Sequence, residues 1–239
     1  MAPPPIRTVA IYNTHEVHTI DFFGNEVTVT VMADASVICE WISNVHTYDC
    51  APLTYSHHPL VVGVGVQWTL FCYGDSSPGS YNSDDDDSYS PPPPRRYYVD
   101  SSADTLQLGV GNECLVIQLS HCGHVPDELR IFLLDPDTIF IGRLSRHELQ
   151  IGELLDLRNY AQDYRGRSMR RCSFEEIVDV CMRCPGVRLD PEISMSDWSA
   201  EDLSHEQVRQ ASLDVYVCFQ LGVCHRIWKV ENKRKLRIS

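Results

Sequence analysis

The feature that most constrains the fold is an almost continuously apolar run at residues 60–68, Leu-Val-Val-Gly-Val-Gly-Val-Gln-Trp. Its β-branched residues favour a strand, and the lack of polar alternation fits a strand that is covered on both faces of a sheet. The chain has 239 residues, of which 43% are hydrophobic, and can therefore bury a core of ordinary domain size. The run predicts the central strand of a layered α/β domain.

Further strands and helices are indicated by β-branched segments, turn dipeptides and capping residues. The middle strands follow one another through a Gly-Asn turn and form an antiparallel meander, and the C-terminal part is helical. Two capping boxes, at Ser173 and Ser204, mark helix starts. The predicted strands are residues 8–12, 27–32, 60–68, 105–110, 114–119 and 139–141, and the predicted helices follow Asp34, cover 127–134, and run from Ser173 to Arg183 and from Ser204 to about Leu221.

The domain organisation follows from two changes in composition. Residues 74–96 contain five aspartates, four of them consecutive, and four consecutive prolines, a composition that cannot bury apolar surface. Residues 229–239 carry five basic side chains against one acidic side chain. We therefore expect one domain over residues 1–239, with a low-complexity insertion at 74–96 and a basic C-terminal tail at 229–239.

Charge and cysteine usage narrow the class of protein. A net charge of −13 argues against a protein that holds nucleic-acid phosphates by bulk charge. Ten cysteines are scattered through a chain of this length, mostly beside apolar segments, which indicates reduced thiols. No apolar stretch approaches the roughly 20 residues that span a bilayer. We expect a nuclear or cytoplasmic protein with no membrane partner.

Several short segments, in their order along the chain, resemble the Werner-syndrome-type 3′–5′ exonuclease domain of the DEDD superfamily, in particular its short plant-like stand-alone members. The resemblance covers roughly residues 15–225 and implies a ribonuclease H-like fold, a mixed sheet flanked by helices. The segments are residues 61–68, 106–108 with Gly111-Asn112, 140–142, 155–157, 196–198 and 203–214.

Members of this family hydrolyse phosphodiester bonds with two Mg²⁺ or Mn²⁺ ions about 4 Å apart. These hard cations prefer carboxylate oxygens. The family supplies them from an Asp-x-Glu pair on the first core strand, an Asp in the second motif and an Asp in the last helix. A Tyr one turn before that last Asp orients the attacking water.

The resemblance places most of these functions on residues that cannot perform them. The Asp-x-Glu pair falls on Gly65 and Gln67, and the water-orienting Tyr falls on Gln210. Glu148 stands in the second motif, in a shortened segment, and Asp214 is retained in the last helix. Asp214 and Glu148 are thus the residual catalytic candidates and the only candidate metal ligands, for a weakly held Mg²⁺ or Mn²⁺ or for none.

Loss of one catalytic electrostatic group costs about 10²–10³ in rate, and loss of a metal together with the water-orienting residue costs more. We therefore expect a catalytically degenerate member that binds DNA or RNA 3′ ends. One alternative is a weakly active metal-dependent exonuclease that uses Glu148, Asp214 and a further carboxylate such as Asp156. A second alternative is a regulatory paralogue that binds an active homologous exonuclease.

Other candidate metal sites carry weaker signals. The pair Cys181-x-x-Cys184 would need two more zinc ligands, and the cluster of His121, Cys122 and His124 belongs to another element. Core or surface thiols are the favoured interpretation of the cysteines. His15 and His18 are interpreted as surface histidines.

The charged segments also have two interpretations. The aspartate run at 84–87 follows the strand that carries Gly65, so it could occupy a substrate groove as a phosphate mimic, but a solvated insertion is favoured. The tail at 233–237 is favoured as a solvated end over a nuclear-import signal or a phosphate-contacting arm.

Overall fold

The chain folds around one eight-stranded mixed sheet. The computed structural model describes residues 4–49, 59–69, 103–143, 150–227 and 229. The sheet order is β1-β2-β3-β6-β5-β4-β7-β8. The strands are β1 (Ile6–Ile11), β2 (His15–Phe22), β3 (Asn25–Met32), β4 (Leu60–Gln67), β5 (Thr105–Val110), β6 (Glu113–Gln118), β7 (Thr138–Gly142) and β8 (Glu153–Asp156).

Strand β4 lies inside the sheet, as its apolar sequence predicted. It pairs antiparallel with β5 and parallel with β7, and its residues from Leu60 to Val66 are buried. Strands β4, β5 and β6 form the predicted antiparallel meander. Strand β8 continues the parallel part of the sheet beyond β7. The carboxyl ends of β4, β7 and β8 therefore lie along one edge of the sheet.

Helices cover both faces of this sheet, which confirms the predicted α/β class. They are α1 (Ala35–Asp49), α2 (Asp127–Leu134), α3 (Phe174–Ile177), α4 (Pro191–Ser194) and α5 (His205–Cys224). Val62 and Val64 of β4 belong to the core with α1 and α2, and Val61 belongs to the core with α5. This division follows from the alternation of side chains along a strand.

The helix starts agree with the predicted capping residues. Asp34 accepts a hydrogen bond from the Ser36 amide at 2.8 Å, and both Ser173 and Ser204 form complete capping boxes. No helix in the described parts of the chain is long and apolar enough to cross a membrane.

Four elements differ from the sequence-based expectations, one of them the short helix α4, which was not predicted. Strand β2 was not predicted because a histidine, His18, takes one of its inward positions. Strand β8 was missed because it is only four residues long. The helix expected from Ser173 to Arg183 is α-helical only to Ile177 and continues as a π-helical segment, Val178–Met182, which ends at Arg183 in the left-handed conformation (φ 58°).

Some predicted features lie outside the described residues. They are the low-complexity insertion at 74–96, the segment with Glu148, and the basic tail apart from Lys229.

Candidate functional site

Helix α5 packs directly on β4 through glycine. A β-carbon built on Gly63 would lie 2.0 Å from the Val215 carbonyl oxygen, so only glycine allows this approach. Farther along the helix, a β-carbon built on Gly222 would lie 3.3 Å from the Val61 side chain, nearer the start of β4. The first half of α5, with Gln210 and Asp214, therefore lies toward the carboxyl end of β4.

Gly65 lies two residues after Gly63 and faces the same helix. A β-carbon built on Gly65 would lie 2.7 Å from Gln107 Oε1 and 3.2 Å from a Val215 methyl group. Gln107 is the paired residue on β5, is buried, and donates its amide to Thr105 Oγ1 at 2.5 Å. The space beside Gly65, where the resemblance places a metal-bridging carboxylate, is thus filled by the neutral amide of Gln107.

Asp214 is held by an arginine that sequence reasoning did not single out. Arg143, the first residue after β7, donates from Nε to Asp214 Oδ1 at 3.0 Å. The two side chains are 25% and 14% exposed, so the ion pair is largely shielded from solvent. The guanidinium also lies over the Phe174 ring, 4.3 Å from its centroid. We call Arg143, Phe174 and Asp214, together with Gly65 and Gln107, the Asp214 site.

The charges of this ion pair are felt by two neighbouring groups. Burial strongly raises the pKa of the Cys218 thiol, the negative charge of Asp214 raises it further, and Arg143 opposes the shift. Burial also raises the pKa of Glu175, but hydrogen bonds, including one from the Leu189 amide, and the charge of Arg143 outweigh it, so the net pKa is lowered. Cys218 is therefore a neutral, unreactive thiol, and Glu175 is a carboxylate.

Gln210 has a structural role in this fold. It is buried, its Oε1 accepts the Asp190 amide at 2.7 Å, and its Nε2 donates to Ser194 Oγ at 2.7 Å and to the Asp190 carbonyl at 3.2 Å. These bonds fix the start and end of α4 against α5. The side chain that the resemblance places at the water-orienting position is thus engaged in holding a helix.

The remaining candidate residues do not complete a metal site. Asp156, the last residue of β8, is held by Arg158, which donates from Nε to Oδ1 at 3.0 Å and from Nη2 to Oδ2 at 2.8 Å. Gln67 ends β4 half-buried. Glu148 lies outside the described residues, so its assignment stays a prediction.

The described residues do not fit the two-ion centre that the fold family implies. The two candidate carboxylates among them, Asp214 and Asp156, are each paired with an arginine. The space beside Gly65, where a third carboxylate is expected, is occupied by the Gln107 amide. In the described ranges, no group of three or more His, Cys, Asp or Glu side chains is arranged to hold a metal ion. The Cys181 thiol belongs to no such group among the described residues, and its neighbour at 3.5 Å is the sulfur of Met169.

One prediction about histidines was wrong. His15 is half-buried, and His18, expected at the surface, is only 2% exposed. The ring of His18 lies between Glu16 Oε2, 3.2 Å from Nε2, and Thr8 Oγ1, 3.2 Å from Nδ1. Thr8 Oγ1 also lies 3.1 Å from Nε2 of His205, the first residue of α5. The histidine is buried because its strand position faces α5; Thr8 satisfies Nδ1, whereas Nε2 has the Glu16 carboxylate nearby but no hydrogen bond.

A groove of about 740 Å³ runs along the same part of α5. It shares Glu175 and Gln210 with the surroundings of the Asp214 site. Its charged lining residues are of both signs: Arg188 and Arg209, and Glu175, Asp190 and Glu206. The groove and the carboxyl ends of β4, β7 and β8 offer a place for a ligand beside α5.

Comparisons with known proteins identify the architecture. No protein-family model matches the sequence, and no curated protein is significantly similar to it. Among solved structures, Escherichia coli RNase D, "an exoribonuclease involved in structured RNA processing", superposes with a TM-score of 0.53 and 15% identity over 82% of this chain and 44% of that one. The catalytic core of RRP6 from Trypanosoma brucei gives 0.54 and 11% over 87% and 49%, and the Aedes aegypti Nibbler EXO domain gives 0.50 and 11% over 80% and 84%.

The chain thus spans about half the length of the RNase D and RRP6 structures. At these identities the similarity concerns the fold. It agrees with a mixed eight-stranded sheet flanked by helices. The chain has the ribonuclease H-like fold of these 3′–5′ exonucleases.

Proposed function

We propose that this chain is a Werner-type member of the 3′–5′ exonuclease family that binds nucleic acid and has little or no catalytic activity. The fold shared with RNase D, RRP6 and Nibbler supports the family assignment. The order of the short motifs along the sequence supports the Werner-type subgroup.

The ion pair between Arg143 and Asp214 carries the proposal. A divalent ion at Asp214 would have to displace a guanidinium that is bonded at 3.0 Å and stacked on an aromatic ring. Two-ion hydrolysis also needs carboxylates that bridge both ions, and the position beside Gly65 holds an amide instead. Among the described residues, the site therefore offers no carboxylate without an arginine partner and little of the charge that would attract Mg²⁺ or Mn²⁺.

The expected ligands are the 3′ ends of DNA or RNA. With a net charge of −13, the chain cannot hold a strand by its overall field, so binding depends on local groups around α5. Arg188 and Arg209 line the groove together with Glu175, Asp190 and Glu206, so binding relies on individual arginine donors and not on a positively charged wall. We expect weak, salt-sensitive affinity.

The direct test is release of nucleotides from 5′-labelled single strands and 3′-recessed duplexes of DNA and RNA, with Mg²⁺ or Mn²⁺. We expect no product above the level of the Asp214→Ala variant, while an active exonuclease run in parallel degrades the same substrates. Robust turnover by the wild-type chain that Asp214→Ala abolishes would contradict the proposal.

We also propose that residues 1–239 form one domain despite the insertion at 74–96. Its support is that β4 and β5, which precede and follow the insertion, are neighbours in one sheet. A protease that cuts only within the insertion should leave two fragments that elute together in gel filtration. Separation of the fragments without denaturant would refute a single domain.

The nuclear or cytoplasmic location expected from the cysteines is likewise a proposal. Imaging of the tagged chain in cells tests it, and localisation to a secretory compartment would refute it.

A further inference from the structure

We propose that Arg143 and Arg158 bind the phosphates of a nucleic-acid strand directly, so that ligand binding at this edge of the sheet needs no divalent ion. The inference deepens the proposed function and rests on it. It concerns which groups of the chain contact the ligand.

Both arginines lie at the carboxyl ends of neighbouring parallel strands. Gly142, the last residue of β7, is paired with Asp156, the last residue of β8. Arg143 follows the first of these residues directly, and Arg158 follows the second by two positions. Adjacent strands lie about 4.8 Å apart, so the two backbones present their arginines close together at the edge where α/β sheets bind ligands.

Each guanidinium is held in place by an aspartate. Asp214 accepts from Arg143 Nε at 3.0 Å, and Asp156 accepts from Nε and Nη2 of Arg158. Phe174 adds a stacking contact to Arg143, 4.3 Å from the ring centroid. Because both side chains are already ordered, a bound phosphate costs little of the side-chain entropy that a free arginine would lose.

Donors remain on both arginines for a ligand. Within the described part of the chain, the two terminal nitrogens of Arg143 and Nη1 of Arg158 make no hydrogen bond. The side chains are 25% and 44% exposed, so solvent and ligands reach them. A guanidinium binds phosphate oxygens through paired N–H donors, which matches the nitrogens left over here.

The aspartates set the strength of this interaction. Each carboxylate cancels the formal charge of its arginine, so attraction of a phosphate rests on the free donors and stays moderate. Removing the charge of Asp214 therefore has opposite consequences under two hypotheses. If Asp214 held a metal, Asp214→Asn would weaken nucleic-acid binding, whereas if Arg143 holds the phosphate, the same change leaves a net positive guanidinium and strengthens it.

The test is fluorescence anisotropy with 5′-fluorescein-labelled oligo-dT and oligo-U of 12 nucleotides, using the full chain at low salt in EDTA and again in Mg²⁺. We expect the same affinity in both buffers. Arg143→Gln and Arg158→Gln should each weaken binding about tenfold, the reduction expected for hydrogen bonds to a charged group. Asp214→Asn should bind more tightly than wild type.

The matched control is Arg7→Gln. Arg7 also pairs with a carboxylate, Glu26 at 3.2 Å, but it lies on β1 at the opposite end of the sheet order from β7 and β8. Its substitution should leave affinity unchanged. Thermal melting checks the fold of each variant, and Arg158→Gln serves as the test at the more exposed pair if Arg143→Gln is unstable.

The outcomes separate the two proposals. A wild-type chain that binds neither oligonucleotide contradicts the proposed function and the inference together. A wild-type chain that binds, with both arginine variants equal to Arg7→Gln, contradicts the inference alone. Binding that requires Mg²⁺ and is abolished in Asp214→Asn also overturns it.

Discussion

Two glycines on β4, two residues apart, have different roles. A β-carbon on Gly63 would meet backbone, the Val215 carbonyl oxygen at 2.0 Å, which cannot move without shifting α5. A β-carbon on Gly65 would meet the ends of two side chains, Gln107 and Val215. Packing therefore requires a glycine at position 63 but not at 65.

The difference distinguishes the part of the β4–α5 contact that maintains the fold from the part that lies at the candidate site. The start of β4 and the later part of α5 are fixed by close backbone contact, which keeps the ribonuclease H-like arrangement. The end of β4 and the first half of α5 have no such constraint. Polar side chains in this region bond to neighbouring elements instead: Asp214 to Arg143 after β7, and Gln210 to Ser194 of α4. Gln107, beside Gly65, bonds to Thr105 on its own strand, β5.

The largest expected effect comes from Gly63→Ala. Because the added methyl group would overlap backbone, we expect a decrease of about 3 kcal/mol or more in the free energy of unfolding, at the upper end for overpacked cores. Gly65→Ala should cost about 1 kcal/mol or less, since the Gln107 amide can turn away. Urea denaturation of the two variants measures the contrast, and equal decreases would abolish the distinction between the two positions.

The next effect concerns the ion pair at the Asp214 site. Arg143→Leu leaves the Asp214 carboxylate, 14% exposed, without its cation. We expect stability to fall by about 2 kcal/mol, less than for a fully buried pair because the arginine is partly solvated. The double variant Arg143→Leu/Asp214→Asn should regain most of the lost stability, because no unpaired carboxylate remains. A double variant no more stable than Arg143→Leu would show that the pair is not the cause.

Much of the frame could be predicted from the sequence because its signals are local. Strand β4, the meander and both capping boxes depend on neighbouring residues. Strand β2 was missed because burial of His18 depends on Thr8 and His205, which are distant in sequence. The break of the helix after Ile177 likewise has no local marker in the sequence.

The Asp214 site could be predicted only in part. Motif order located Gly65, Gln210 and Asp214, but their present contacts are long-range. Arg143 is 71 residues from Asp214, and the position of Gln107 beside Gly65 depends on strand register. One available signal was overlooked, a charged residue directly after a buried strand that ends at a ligand-binding edge.

Gln210 sharpens the comparison, because the sequence resemblance predicts a catalytic position for it, whereas its contacts hold the scaffold. Gln210→Ala removes the partners of the Asp190 amide and of Ser194 Oγ. We expect stability to fall by about 1 kcal/mol, typical of hydrogen bonds with partly exposed partners. Denaturation measures it, with Arg209→Ala on the same helix as the control. Weaker oligonucleotide binding with unchanged stability would instead assign Gln210 to ligand binding.

The smallest effect is a pH dependence of stability due to His18, whose ring lies beside that of His205, the first residue of α5. Burial lowers the pKa of His18, Glu16 opposes the shift, and His205 adds to it. The folded state thus favours the neutral ring. The contribution of His18 to stability is therefore complete above the ordinary histidine pKa of about 6.5, and it is lost as the pH falls from about 6.5 through the lowered pKa of the folded state. His18→Gln should reduce the stability difference between pH 7.5 and pH 5. Burial also lowers the pKa of His225, so some dependence remains. An unchanged difference in His18→Gln would refute this assignment.

The central claim, that Arg143 has taken the carboxylate a metal would need, is tested most directly by calorimetric titration of Mn²⁺ into the wild-type chain and into Asp214→Asn. An active site of this type would bind Mn²⁺ in the micromolar to millimolar range. We expect identical heats for the two proteins, because Asp214 of the wild-type chain is paired with Arg143 and does not bind the ion. A saturable site in the wild-type chain that disappears in Asp214→Asn would contradict the claim.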